Sequence, residues 1–214
     1  MKLVGMMDSP YVRRAAISMS CLGISFEHQA VSVIRTFEEF RKINPVVKAP
    51  TLVLEDGELL MDSTLIIEYA EALARGGRTL MPADMAERVR ALRRIGLGLA
   101  ACEKTAQMIY ELNLRPKEKQ YAPWLKRVEG QLLAALAGLE REVAMQPAPR
   151  EETLGQSEIT SAVAWQFIHA TLPEMVTAER FPALHRFSKD AEKLQVFVKH
   201  PPLGPGVSVG SSEG

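Results

Sequence analysis

Apolar and polar positions follow two rhythms along this chain of 214 residues. Lys2–Met6 is a short apolar run of strand length. Tyr11–Leu22 repeats Val12, Ala15, Ala16, Met19 and Leu22 at helical spacing, and Gly23 then supplies a C-terminal stop. Phe26–Val33 reads as a second strand, and Thr36–Lys42 as a short charged helix ended near Asn44-Pro45. Thr51–Leu54 and Glu58–Met61 read as strands joined by Glu55-Asp56-Gly57, because Asp-Gly between β-prone runs favours a hairpin. Thr64–Arg75 places Leu65, Ile66, Tyr69 and Leu73 on one side, with Ser63 in the N-cap position. The order βαβ, helix, ββα predicts a mixed four-stranded sheet: parallel through the first crossover, antiparallel at the hairpin.

The strand rhythm stops at Gly76-Gly77-Arg78-Thr79-Leu80-Met81-Pro82, which reads as a linker. Met85–Leu112 then predicts a long helix whose stripe is Val89, Leu92, Ile95, Leu99, Cys102, Ala106 and Ile109. Pro123–Met145 predicts another, with Leu125, Val128, Leu132, Leu136, Leu139 and Val143. Pro147-Ala148-Pro149 forces a loop, and Ser157–Leu172 and Pro182–Val198 complete the helices. The expected organisation is an α/β domain over 1–76, a linker over 77–84, an all-helical domain over 85–200 and a flexible tail over 201–214, rich in Pro, Gly and Ser.

An apolar fraction of 47% is enough for a real core. The 26 basic and 26 acidic residues cancel, so no bulk field steers the chain toward nucleic acid. Cys21 and Cys102 make neither a disulfide framework nor a CxxC metal site, which fits a reducing compartment. The N-terminus lacks a signal-peptide core, and charges interrupt every apolar stretch, so a cytoplasmic protein without a membrane span is expected. His28, His169, His185 and His200 are scattered along the sequence and suggest no metal site. Arg88, Arg90, Arg93 and Arg94 read as a solvated or dimer-facing helix surface.

Candidate chemistry lies in the first domain. Met7-Asp8-Ser9-Pro10 places Ser9 at a helix N-terminus, where free amides favour an anion and a hydroxyl can donate to a thiolate. Val47-Lys48-Ala49-Pro50 precedes the third strand. A cis bond at Pro50 would turn the Ala49 backbone outward to pair with an extended peptide. Asp62-Ser63 opens the third helix, where a carboxylate beside free amides suits the ammonium and carboxylate of an amino acid. Each feature also has a plainer reading: a capping serine, a trans proline at a sheet edge, an ordinary N-cap.

In this order the three motifs resemble the glutathione transferase superfamily, and the Ser9-Pro10-Tyr11-Val12-Arg13 opening is similar to its bacterial branch with the YibF-like proteins. The resemblance spans nearly the whole chain. It implies a thioredoxin-like N-terminal domain, an all-helical C-terminal domain, a homodimer, and glutathione as cosubstrate without a metal. It implies conjugation to small hydrophobic electrophiles, a detoxification activity, with Ser9 at the sulfur. Lys48 would take the glycyl carboxylate, Ala49 with cis-Pro50 the cysteinyl backbone, and Asp62 and Ser63 the γ-glutamyl end. From position, Met7, Tyr11, Met108 and Tyr110 are candidates for the electrophile pocket. A non-catalytic interaction module similar to stringent starvation protein A and a glutathione-dependent peroxidase are the alternative functions. Two departures stand out. Val47 replaces the glycine usual before Lys-x-Pro, and Thr160 stands in the acidic place of the helical domain's Ser/Thr-x-x-Asp box, read as Ser157–Thr160, which implies a weaker element there.

Overall fold

The computed structural model describes residues 1–74 and 77–206. The N-terminal part runs β1 (Lys2–Val4), α1 (Pro10–Cys21), β2 (Glu27–Gln29), α2 (Phe37–Ile43), β3 (Thr51–Val53), β4 (Leu59–Met61) and α3 (Ser63–Leu73). The strands form one mixed sheet in the order β2-β1-β3-β4. β1 and β2 are parallel, with Leu3 opposite His28, and β3 is antiparallel to both β1 and β4. This is the expected thioredoxin-like arrangement. The helical part follows as α4 (Met85–Asn113), α5 (Ala122–Ala144), α6 (Gln156–Thr171), α7 (Pro182–Ala191) and α8 (Gln195–Val198). The expected boundary at 76 falls on residues outside the described ones, as do residues 207–214 of the expected tail. No helix among the described residues is long and apolar enough to cross a membrane.

Helix α1 joins the two halves. Its alanines and Ile17 pack in the same continuous core as Leu52 of the sheet and Ile159, Ala162 and Val163 of α6. It is therefore buried nearly all round, and the polar residues on it must find partners. Ser18 donates to the Arg14 carbonyl oxygen (2.6 Å), and its hydroxyl lies 3.0 Å from the Gln156 side-chain amide. Arg13 makes a bidentate pair with Glu192. A smaller cluster of Val4, Val31 and Phe40 fills the space under α2.

Several expectations change. The N-cap of α3 is Asp62, not Ser63: its carboxylate accepts from the Thr64 amide at 2.9 Å, and Ser63 is the first helical residue. The box at the start of α6 is shifted from the expected Ser157–Thr160. Its N-cap is Gly155, and the Glu158 carboxylate returns to the Gly155 amide at 3.1 Å. Glycine has no side chain, so only the glutamate half of a capping box operates. A Cβ on Gly155 would lie 3.0 Å from the Leu80 carbonyl oxygen, which accepts the Gln156 amide; the close crossing of the linker explains the glycine. Thr160 is not a defective acid. It is buried and donates to the Gln156 carbonyl oxygen at 2.8 Å. Arg94 leaves the expected exposed basic run: it is buried and pairs with Ser157 and Glu158.

Val47 adopts φ 52°, the left-handed region where a β-branched side chain is strained. The glycine usual at this place would be free of that strain. We expect Val47→Gly to be more stable than Val47→Ala by about 1 kcal/mol, the reverse of the usual order. Both variants lose the valine methyls that pack on the Val4 cluster, so denaturant unfolding of the pair isolates the backbone term.

Candidate active site

The first turn of α1, the loop before β3 and the start of α3 meet the middle of α4 around one cleft of about 960 Å³. Ser9, Lys48, Ala49, Asp62, Ser63, Tyr11 and Tyr110 all line it. Pro50 is buried behind it. Met7 and Met108 are not brought there: both are in the core, and Met7 borders a second cavity, lined also by Cys21, His28 and His200.

Ser9 occupies the N-cap position of α1, yet its hydroxyl makes no capping hydrogen bond. Pro10 follows it without an N–H, so the amides of this turn remain oriented along the helix axis. The serine thus presents a hydroxyl into a cleft at the positive end of a helix dipole.

Gly5 sets the loop opposite. Its φ is 141°, and a Cβ there would come within 2.6 Å of Val12 and 3.2 Å of Ala49, so β1 can pass this close to both only as glycine. The Ala49–Pro50 bond is cis. Among the described residues neither backbone polar group of Ala49 has a hydrogen-bond partner, which leaves a donor and an acceptor beside the serine.

At the far end, Asp62 holds φ 72° and spends one carboxylate oxygen on its own helix. The other lies 3.7 Å from the Lys48 ammonium. The expected assignment sends these two side chains to opposite ends of a tripeptide, whereas here they face each other. Both are exposed, so the pair is worth little and opens at small cost. The Ser63 and Thr64 hydroxyls accept hydrogen bonds from the buried Arg14.

On the helical side the cleft is lined by Leu99, Ala106, Ile109, Tyr110, Phe167 and Ala170, interspersed with the polar Glu103, Asn113, Gln166 and Thr171. Burial raises the pKa of both Tyr11 and Tyr110, so both stay neutral phenols. The cysteines lie elsewhere. Burial pushes the Cys102 thiol up to about 12 and also raises Cys21, so neither is a thiolate at neutral pH. His169 stacks on Trp165, and His185 meets both rings edge-on; neither histidine lines the cleft. No metal-ligating cluster occurs among the described residues.

Sequence reasoning missed three contributors. Arg14 carried no motif. Asp8 accepts the Gly206 amide at 2.8 Å. The segment 202–206 returns through Pro202, Gly204 and Pro205 to line the same cleft, and Arg35 donates to the Pro205 carbonyl oxygen at 3.1 Å. No local pattern signals a terminal segment packed on a loop so distant in sequence.

A thioredoxin-like sheet with a cis-proline loop, joined through α1 to a helical bundle, defines a protein class, and comparison with known proteins agrees. Residues 3–78 match the family model of the glutathione S-transferase N-terminal domain. The maize glutathione transferase GST 23 is 31% identical over 90 residues, covering 42% of this chain and 40% of the relative. The GST-like protein YibF of Escherichia coli is 32% identical over 143 residues, covering 67% of this chain and 66% of the relative. The matched segment thus spans less than two thirds of the length of these relatives. A glutathione S-transferase of Methylobacterium radiotolerans, solved in complex with glutathione sulfonate, superposes with a TM-score of 0.86 over 97% of both chains at 22% identity. The chain belongs to the glutathione S-transferase superfamily.

Proposed function

We propose that this chain binds glutathione in the cleft and transfers its thiolate to small hydrophobic electrophiles. The observation that carries the reading is the Ser9 hydroxyl: it has no capping role and faces the cleft that also holds the unpaired Ala49 backbone and the Asp62-Ser63 turn. Ala49 would pair with the cysteinyl backbone of an extended glutathione. That places the sulfur near Ser9. Asp62 and Ser63 would take the γ-glutamyl ammonium and carboxylate. Lys48, released from its loose pair with Asp62, would take the glycyl carboxylate.

The thiolate is the nucleophile, and a free thiol of this kind has a pKa of about 8.5. The Ser9 O–H and the α1 dipole both favour the anion and lower that value. The thiolate sulfur attacks the electrophilic carbon, a C–S bond forms, and the leaving group departs with its electron pair. The apolar side chains of Leu99, Ile109 and Phe167 would hold the electrophile against the sulfur, which supplies proximity.

Titration calorimetry with glutathione, followed by conjugation of a dinitrophenyl halide, tests the reading. Saturable binding and thioether formation are expected; absence of binding at millimolar glutathione would sink it. We also propose a cytoplasmic homodimer. Leu65 on α3 and Met85, Val89 and Leu92 on α4 are exposed apolar residues, and a second copy would cover them. Sedimentation as a monomer would remove the dimer without touching the site.

A further inference from the structure

The turn between α4 and α5 exposes five large apolar side chains: Tyr110, Leu112, Leu114, Tyr121 and Trp124, each 40–63% exposed. The turn is tied from within. The Glu111 carboxylate accepts the Tyr121 amide at 2.8 Å and pairs with Arg115 at 3.0 Å. The Gln120 side-chain amide donates to the Leu112 and Arg115 carbonyl oxygens at 3.0 and 3.1 Å. Pro116 leads into a 3-10 turn over Lys117–Lys119, and Pro123 stands in the first turn of α5. Side-chain bonds hold the shape of the turn, yet its apolar side chains face solvent. An apolar cluster of this kind marks a contact surface.

Charge indicates what the surface meets. Residues 110–127 hold five basic and two acidic side chains, whereas the whole chain is neutral. Of the two acids, Glu111 is buried and taken by Arg115. Lys117, Lys119, Lys126 and Arg127 are exposed and have no ion-pair partner among the described residues. A second copy of the chain is a poor occupant, because two identical basic tips would oppose each other. The exposed Val89 proposed for the dimer also lies elsewhere, roughly 30 Å back along α4 at 1.5 Å per residue. Nucleic acid would match the charge and leave Leu112 and Leu114 in water. An anionic lipid surface matches both properties. Its phosphates take the basic side chains, Trp and Tyr sit at headgroup level, and leucines reach the acyl boundary.

We propose that the α4–α5 tip docks on an anionic lipid bilayer, with Trp124, Tyr121 and Leu114 at the headgroup boundary and the flanking lysines against the phosphates. The contact is peripheral, since no helix among the described residues is long and apolar enough to cross a membrane. Tyr110 belongs to both the tip and the cleft, so docking sets the cleft beside the phase into which apolar compounds partition. The docking itself is independent of what the cleft binds.

Co-sedimentation of the full chain with lipid vesicles tests this. Vesicles of equal parts phosphatidylglycerol and phosphatidylcholine should bind it about tenfold or more tightly than phosphatidylcholine alone, and added salt should remove the difference. Trp165 is already buried, so a blue shift of tryptophan emission on binding reports Trp124. Lys117→Gln combined with Lys119→Gln should weaken binding to the anionic vesicles about twentyfold. Trp124→Ser should weaken it about fivefold or more and abolish the blue shift. Both lysines are exposed, so their variant keeps the fold and decides even where Trp124→Ser does not fold. No sedimentation with the anionic vesicles, or binding indifferent to these variants, overturns the proposal. Equal affinity for duplex DNA, untouched by Trp124→Ser, overturns it in favour of a nucleic-acid contact. Loss of self-association by Trp124→Ser in sedimentation velocity overturns it in favour of a second copy.

Discussion

Ser9→Ala should lower the conjugation rate at neutral pH about 100-fold, in the range found when one donor to a developing anion is removed. The same variant should leave glutathione affinity nearly unchanged, because Ala49, Asp62 and Ser63 would on the proposed function still hold the peptide. The sign of the pH dependence follows from the anion. On the proposed function the wild-type site stabilises the thiolate, which would put its pKa below about 8.5. Removing the hydroxyl raises that pKa toward the free value. The acid limb of the kcat/KM profile should therefore move to higher pH, and the deficit should shrink as pH rises and the thiol ionises unaided. The Ser9 hydroxyl makes no capping bond, so folding should change by only a few tenths of a kcal/mol, below the typical cost of losing a functioning cap. A variant that binds glutathione normally and conjugates at the wild-type rate would show that the α1 dipole suffices without the serine.

The sheet and the motif loops are legible in the sequence because their signals are local. Asp-Gly makes a hairpin, Ser-Pro opens a helix, and alternation in period separates strands from helices. The helical half obeys partners that lie far away in the chain. On α4 the expected stripe begins with Val89 and Leu92, yet both are exposed while Ala91, Arg94, Gly98 and Ala101 are buried. Close approach decides that face: a Cβ on Gly98 would lie 3.0 Å from the Thr160 methyl on α6. Small residues allow the contact; Ile95, Cys102 and Ile109 of the expected stripe are buried as read, and the stripe fails only in the first turns at Val89 and Leu92. The expected helix Pro182–Val198 is broken into α7 and α8 for a similar reason. Glu140 accepts the Ala183 and Leu184 amides at 2.8 Å each, and Glu151 accepts those of Gln195 and Val196. Both helices are thus capped by carboxylates more than a helix away in sequence. The site is divided the same way. Ser9, Ala49 and Asp62 stand in local motifs, whereas Arg14, which donates to the Ser63 and Thr64 hydroxyls, carries none.

Glu192→Ala should be strongly destabilising although it lies outside the cleft. Arg13 is 1% exposed, and its three donor nitrogens are used: Nη1 and Nη2 reach the two Glu192 oxygens at 2.6 Å each, and Nε reaches the His200 carbonyl oxygen at 2.7 Å. Its guanidinium also lies over the Phe197 ring, 5.4 Å from the centroid. Removing the carboxylate leaves a buried cation with one carbonyl and one ring. Breaking a buried pair from one side costs about 3–5 kcal/mol. Glu192 retains 29% exposure of its side chain, so solvent can reach the orphaned charge, and we expect about 2–4 kcal/mol. For a chain of this size that is a fall in Tm of roughly 5–15 °C. Arg13→Met should cost less, because it removes the charge and keeps an apolar stem in place, and adding it to Glu192→Ala should recover part of the loss. The pair also anchors the segment that walls the cleft. With Glu192 gone, the tie from α1 to His200 loosens, and the Gly206 amide, held by Asp8, should exchange faster with solvent deuterons. A Glu192→Ala protein as stable as the wild type, with Gly206 equally protected, would mean that the carboxylate adds nothing to the junction between the sheet and the C-terminal helices.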